Sequence, residues 1–172
     1  MRSLSILLVS LLLFGCAWED TQPARTPAPV VIAEPVGEPS RPTRQRVTAV
    51  DTATIAASIA QQQVGVPYRY GGQDPRGFDC SGLVHFAYQQ AGHNVARTTS
   101  TLWASARPVA SRDLMPGDVI FFRFDDKPSH VGLYLGDGWF VHAPSTGKQV
   151  TTARVDAPFY ANRMIRGGRL VE

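Results

Sequence analysis

Apolar positions along this chain follow two different periods. Between residues 51 and 106 they recur at helical spacing. Ile55, Ala56, Ile59 and Ala60 share one face, Asp51 stands where a cap would, and Gly65 lies past the end, so a helix is predicted from Asp51 to about Val64. Val66-Pro67-Tyr68-Arg69-Tyr70-Gly71-Gly72 breaks that period and reads as a loop or short extended piece, and Gln73 to Gly77 as a polar turn. A second helix is predicted from Asp79 to about Ala91, with Leu83, Val84, Ala87, Tyr88 and Ala91 as its buried stripe and Gly92 closing it. Thr98 or Thr99 can cap a short third helix bearing Leu102, Trp103 and Ala106.

From residue 115 onward the period becomes that of strands. Met115-Pro116-Gly117-Asp118 is a turn that feeds the apolar run Val119-Ile120-Phe121-Phe122. His130 to Leu135 alternates, Gly136-Asp137-Gly138 turns the chain, and Trp139 to Ala143 returns. Lys148 to Val155 and Asn162 to Val171 are weaker strand candidates. Helices first and antiparallel strands after imply an α+β domain over residues 51–172.

Hairpin parity decides where two histidines point. A two-residue Asp137-Gly138 loop would pair Gly136 with Trp139 and send His130 and His142 to opposite faces. A three-residue Gly136-Asp137-Gly138 loop would set His142 opposite Gly132 and make the histidines diagonal neighbours, about 7–8 Å apart at the backbone. The three-residue loop is predicted, with Gly132 leaving room for a helix end to approach.

Composition adds little to this picture, and the N-terminus adds more. The net charge of the 172 residues is +3, and Arg25, Arg41, Arg44 and Arg46 fall in a segment without core-forming residues. No basic stripe interleaved with aromatics is present, so nucleic acid is not an expected partner. Arg2 followed by the apolar run Leu4 to Phe14 reads as a secretory signal, too short to span a bilayer. It ends in Leu13-Phe14-Gly15-Cys16, which resembles the bacterial lipobox. Residues 1–15 are then a lipoprotein signal and Cys16 the lipidated first residue. Ala17 after it implies sorting to the outer membrane, facing the periplasm. Residues 16–50, with Pro23, Pro27, Pro29, Pro35, Pro39 and Pro42, read as an extended linker.

Candidate chemistry centres on Phe78 to Val84. The carboxylate of Asp79 is a good helix N-cap, which puts Cys80 at the first helical position. The positive end of the helix dipole there favours a thiolate, the form in which cysteine is a nucleophile. Cys16 and Cys80 are the two cysteines, so lipidation of Cys16 leaves Cys80 without a disulfide partner. His130 is the candidate base and His142 the group that orients it. The same three side chains could bind zinc, but no short-spaced metal-ligand element supports this. His85 and His93 read as structural or solvated.

These motifs together resemble the NlpC family of papain-like cell-wall peptidases. The matching stretches are Val66 to Gly72, Phe78 to Val84, Leu114 to Phe122, Ser129 to Gly136 and Phe140 to Ala143, in family order over essentially residues 51 to 172. The resemblance implies a papain-like fold with Cys80 as nucleophile, His130 as base and His142 as the polar third member. It implies that the Tyr68 hydroxyl lies near the oxyanion site beside the Cys80 N–H. It places Asp79 and Ser81 at substrate-lining positions, with helix capping as the competing reading, and gives Arg97-Thr98-Thr99 a substrate-side role. Leu102 stands where glutamine is often found, and no role is carried over there. The expected enzyme is a monomeric, lipid-anchored peptidoglycan endopeptidase needing no cofactor. It would cut at diaminopimelate, with the D-alanyl–diaminopimelate cross-link preferred over γ-D-glutamyl–diaminopimelate. The competing readings are a non-catalytic peptidoglycan-binding scaffold and a cysteine amidase or acyltransferase on the same fold.

Overall fold

Alternation along the central strands gives both faces of one sheet something to bury, and the helices take one of them. The computed structural model describes residues 49–124 and 126–171. The expected signal, the lipidation of Cys16 and the linker up to residue 48 lie outside the described residues. The elements are α1 (Ala49–Gln61), β1 (Gln73–Asp74), β2 (Gly77–Phe78), α2 (Cys80–Gln90), α3 (Thr99–Ser105), β3 (Arg107–Val109), β4 (Val119–Arg123), β5 (Pro128–Gly136), β6 (Trp139–His142), β7 (Thr151–Arg154), α4 (Pro158–Ala161) and β8 (Met164–Arg169). Among the described residues, β3, β8, β4, β5, β6 and β7 form one sheet in that order, and every neighbouring pair is antiparallel.

Val119, Phe121, Val131, Leu133 and Val141 point to one face and pack with α1, α2 and α3 in the main core. All five are fully buried, and each contributes roughly 1.5–3 kcal/mol by leaving water. The intervening residues Ile120, Phe122 and Phe140 point to the other face. There they form a smaller cluster with Tyr134, Val155, Tyr160 and Met164. Cover on both sides is why His130 to Leu133 is buried throughout and does not show the alternating exposure its sequence pattern implies.

The helices depart from expectation at the first one. Asp51 lies inside α1, which already includes Ala49 and Val50, and the helix ends at Gln61 rather than Val64. Its buried stripe is Ala53, Ala56, Ala57 and Ala60, while Ile55 is 42% exposed. Small side chains let α1 lie close to its neighbours; Ile59 packs against the edge of that core, and Ile55 falls outside it. In α2 the stripe is as expected except that Ala91 is the C-cap and only half-buried. Thr98 caps α3 through a reciprocal capping box with Thr101. The expected polar turn at Gln73 to Gly77 is a small hairpin, with Gln73 paired to Phe78 and Asp74 to Gly77. The strand β3 and the helix α4 had no predicted counterpart. β3 is three residues long with a central proline, as suits a sheet edge.

The hairpin between β5 and β6 reaches the expected parity by a different route. Gly136 pairs with Trp139, so the loop has two residues, and Asp137 (φ 51°) and Gly138 (φ 79°) both take the left-handed conformations that a type I′ turn requires. That loop alone would separate the histidines. A bulge at Leu135 shifts the register between Tyr134 and Gly136, and Leu133 pairs with Val141. Continuing that register sets His142 across from Gly132. The space that Gly132 leaves is not used by a helix end. A Cβ there would meet the Phe140 ring at 2.7 Å, the Val141 carbonyl at 2.9 Å and the His142 Cβ at 3.2 Å, so the glycine lets β6 close on β5.

Gly132→Ala is therefore expected to destabilise the protein by about 1–3 kcal/mol. Urea unfolding checks this, and an unchanged midpoint would show that the close approach is not needed.

Candidate active site

Cys80 owes its position to Asp79. The Asp79 backbone is extended, its Oδ1 accepts from the Gly82 N–H at 2.6 Å, and α2 starts at the next residue. The same carboxylate is also held from outside the helix. Arg97 donates to Oδ1 at 3.0 Å and to Oδ2 at 2.8 Å, and the Gly71 N–H donates to Oδ2 at 3.0 Å. Arg97 continues to the Ser81 hydroxyl at 3.1 Å, the Gly72 carbonyl at 3.1 Å and Gln73 at 2.9 Å. Gly82 allows this closeness, since a Cβ would fall 2.0 Å from the Gly72 carbonyl oxygen. Asp79, Ser81 and Arg97 thus bind one another and fix the loop before α2 to its first turn.

Cys80 and His130 come to the same cavity at one end of the sheet. Cys80 is half-buried, and its Sγ lies 3.7 Å from the Thr99 hydroxyl and takes a backbone hydrogen bond from Val131, the residue after His130. His130 and His142 share the sheet face that carries Phe122 and Phe140, opposite the face that α2 covers. The helix therefore does not lie on the imidazoles, as the sequence had led us to expect. Its first turn meets β5 at Val131, whose backbone hydrogen-bonds the Cys80 sulfur. His130 Nε2 and His142 Nδ1 are 2.8 Å apart, and His142 Nε2 is 3.1 Å from the Tyr160 hydroxyl. Of the four ring nitrogens, His130 Nδ1 takes no part in these two contacts.

A cavity of about 380 Å³ opens over these groups, with Tyr68, Cys80, His130, His142, Lys148 and Tyr160 among its walls. Phe124 and Phe159 make an apolar flank, 44% and 54% exposed, and the Arg163 guanidinium stacks on both rings. Asp79, Ser81 and Arg97 do not line it, whereas Tyr68 does. Tyr68 is held by its N–H, which donates to the Lys148 carbonyl at 2.8 Å. Its phenol is pushed up in pKa, mainly by burial and then by the neighbouring Cys80, so it remains a donor at neutral pH.

Burial dominates the titration of the site. It pushes His130 down to about 4, and it pushes His142 down to about 3 with help from His130 and Lys148. Burial also pushes the Cys80 thiol up, against the pull of the Thr99 hydroxyl and of backbone hydrogen bonds from Val131 and Ser81. Burial thus works against the thiolate expected at the start of α2 and against an imidazolium at His130.

His85 is structural, with Nδ1 2.9 Å from the Val95 carbonyl, and His93 is exposed. Among the described residues no group of three or more His, Cys, Asp or Glu could hold a metal ion. Tyr160, Lys148 and Phe159 escaped the sequence reading. A tyrosine 18 residues beyond His142, on a one-turn helix after Pro158, carries no spacing signal that ties it to a histidine.

The family model described as NlpC/P60 matches residues 65–169, which contain every one of these groups. The chain belongs to the NlpC/P60 family. A probable endopeptidase of Mycobacterium tuberculosis is 43% identical over 139 residues, covering 80% of this chain and 36% of that protein. Murein DD-endopeptidase MepH of Escherichia coli is 34% identical over 123 residues (68% and 45%), and the gamma-DL-glutamyl hydrolase of Bacillus subtilis 38% over 126 residues (69% and 30%). The chain thus spans between about a third and a half of the length of these relatives. The crystal structure of the NlpC/p60 domain of the peptidoglycan hydrolase SagA superposes with a TM-score of 0.60 at 28% identity, covering 67% of this chain and 97% of that one. The mixed helix and antiparallel-sheet architecture is the papain-like one of the NlpC/P60 structures.

The burial of Cys80 has a direct consequence. A raised thiol pKa means less thiolate at pH 7, so Cys80 should react with iodoacetamide more slowly than an unstructured cysteine. The rate should rise with pH along a curve displaced above pH 8.5. A titration midpoint below pH 7 would mean that the pair rests as thiolate and imidazolium.

Proposed function

We propose that this protein is a cysteine endopeptidase of peptidoglycan. The observation that carries the proposal is the 2.8 Å contact between His130 and His142 in the cleft that also holds Cys80, within an NlpC/P60 domain. As the Cys80 sulfur attacks a peptide carbonyl, its proton passes to His130 Nδ1. The S–C bond forms, and the carbonyl oxygen becomes an oxyanion. The Tyr68 hydroxyl and the Cys80 N–H, one of the first-turn donors that have no partner within a helix, receive that charge. A donor of this kind is worth about 3 kcal/mol in the transition state. His130 returns the proton to the leaving amine, whose C–N bond breaks. Water then attacks the thioester, losing a proton to His130, and the acid half leaves as Cys80 regains its proton.

The substrate is a murein stem or cross-link peptide at diaminopimelate, and the D-alanyl–diaminopimelate cross-link is the favoured bond. The name of the Escherichia coli relative speaks for a cross-link, whereas that of the Bacillus subtilis relative speaks for a γ-glutamyl bond. The favoured choice rests on the expected lipoprotein form, in which Cys16 carries the anchor to the outer membrane and a monomer works in the periplasm. Asp79, Ser81 and Arg97 act through Cys80 by holding the first turn of α2, and Tyr68 acts on the substrate itself.

Digestion of purified murein sacculi by the full-length protein tests this. Mass analysis should show loss of cross-linked dimers with wild type and none with Cys80→Ala. Truncated stems in place of lost dimers would move the assignment to the γ-glutamyl bond, and identical profiles for the two proteins would end the peptidase reading.

A further inference from the structure

Three features of the described residues stand outside the chemistry above. A second cavity of about 310 Å³, between Leu114, Tyr134, Val155 and Met164, has Ser111 and an Asp156 already paired with Arg154 as its polar side chains besides Tyr134. The Phe124, Phe159 and Arg163 stack is a solvent-facing wall of the cleft already described. The third feature is Tyr160, the group on the far side of His142, and it carries an inference.

His142 is 1% exposed, and both of its ring nitrogens have a partner. A neutral imidazole has one proton and one lone pair, so the two partners cannot play the same part. If His142 were protonated on Nδ1, it would donate to His130 Nε2. His130 would then carry its own proton on Nδ1, with no lone pair there to take a proton from Cys80. If His142 is protonated on Nε2, it donates to the Tyr160 oxygen and offers Nδ1 to His130. His130 then donates from Nε2 and turns the lone pair of Nδ1 to the nucleophile. Only the second arrangement lets His130 take a proton from Cys80.

We propose that Tyr160 is a positioning residue that accepts the His142 Nε2 proton and thereby holds the His130–His142 pair in the tautomer able to deprotonate Cys80. The geometry is held from several sides. Tyr160 is edge-on to His142, with ring centres 5.3 Å apart, and it packs on Phe122 at 5.5 Å and on Phe140 at 5.0 Å. Its hydroxyl opens on the cleft, where its own proton can reach solvent. When His130 becomes imidazolium during attack, its Nε2–H still points at His142 Nδ1, and His142 still needs an acceptor behind it. Tyr160 therefore acts on the transition state through two rings, and it does not need to touch the substrate.

This inference rests on the peptidase reading, and its test separates the two. Nitrogen-15 NMR of the full-length protein without substrate reads the tautomer alone. Murein cleavage by the wild type reads the peptidase function. In the wild type, His142 should show a protonated Nε2 with a downfield, slowly exchanging proton, and an unprotonated Nδ1. Tyr160→Phe keeps the ring packing and removes the acceptor. That proton should move upfield and exchange faster, and kcat should fall roughly tenfold, the scale of one buried hydrogen bond, with KM unchanged. A wild-type His142 protonated on Nδ1 would overturn the proposal. So would a Tyr160→Phe enzyme with unchanged kcat, one impaired only in KM, or one impaired without any change at His142.

Discussion

Two imidazoles held 2.8 Å apart in a nearly dry sheet face are the constraint on which the rest of this structure depends. Desolvation keeps both neutral at physiological pH, and hydrogen bonding at every ring nitrogen but one leaves a single lone pair to face the cleft. That arrangement needs the histidines on one face of a hairpin. A two-residue turn forbids this unless one residue is bulged out. The bulge at Leu135, the left-handed Asp137 and Gly138, and the missing side chain at Gly132 are three local solutions to that one requirement. A single slip of register would send one imidazole into the main core among Val131, Leu133 and Val141.

The opposite wall is fixed by a different physics. Asp79 accepts from two backbone N–H groups and from a bidentate Arg97, and through Arg97 it reaches Ser81, the Gly72 carbonyl and Gln73. Capping, a partly shielded ion pair and a glycine–glycine contact thus set where the first turn of α2 ends up, and with it the sulfur. The Arg97-Thr98-Thr99 segment divides its labour. Arg97 binds the cap, Thr98 starts α3, and Thr99 places its hydroxyl against the Cys80 sulfur. This packing accompanies a Cys80 thiol that burial makes harder to ionise.

How much of this could be read from the chain depends on range. The cap at Asp79, the start of α2 and the alternating strands are short-range or periodic features, and residue order shows them. The turn type is where parity reasoning arrived at the right face by the wrong loop, because a bulge has no signature in the alternation of Leu133, Tyr134 and Leu135. Ile55 was expected inward because it is apolar, but the space beside α1 fits alanines. The thiolate was inferred from a dipole that sequence can locate, and the burial that opposes it is one that sequence cannot. Tyr160 and Lys148 come to the site from elements whose positions only the closed sheet decides.

The most direct measurement is a search for the covalent intermediate. The full-length protein, mixed with a cross-linked muropeptide and quenched in acid within milliseconds to seconds, should give a peptide containing Cys80 with the mass of the acyl half attached as a thioester. The adduct should be absent from Cys80→Ala and accumulate less in His130→Ala. A protein that releases product while Cys80 never carries that adduct, at any quench time, would contradict nucleophilic catalysis by this cysteine.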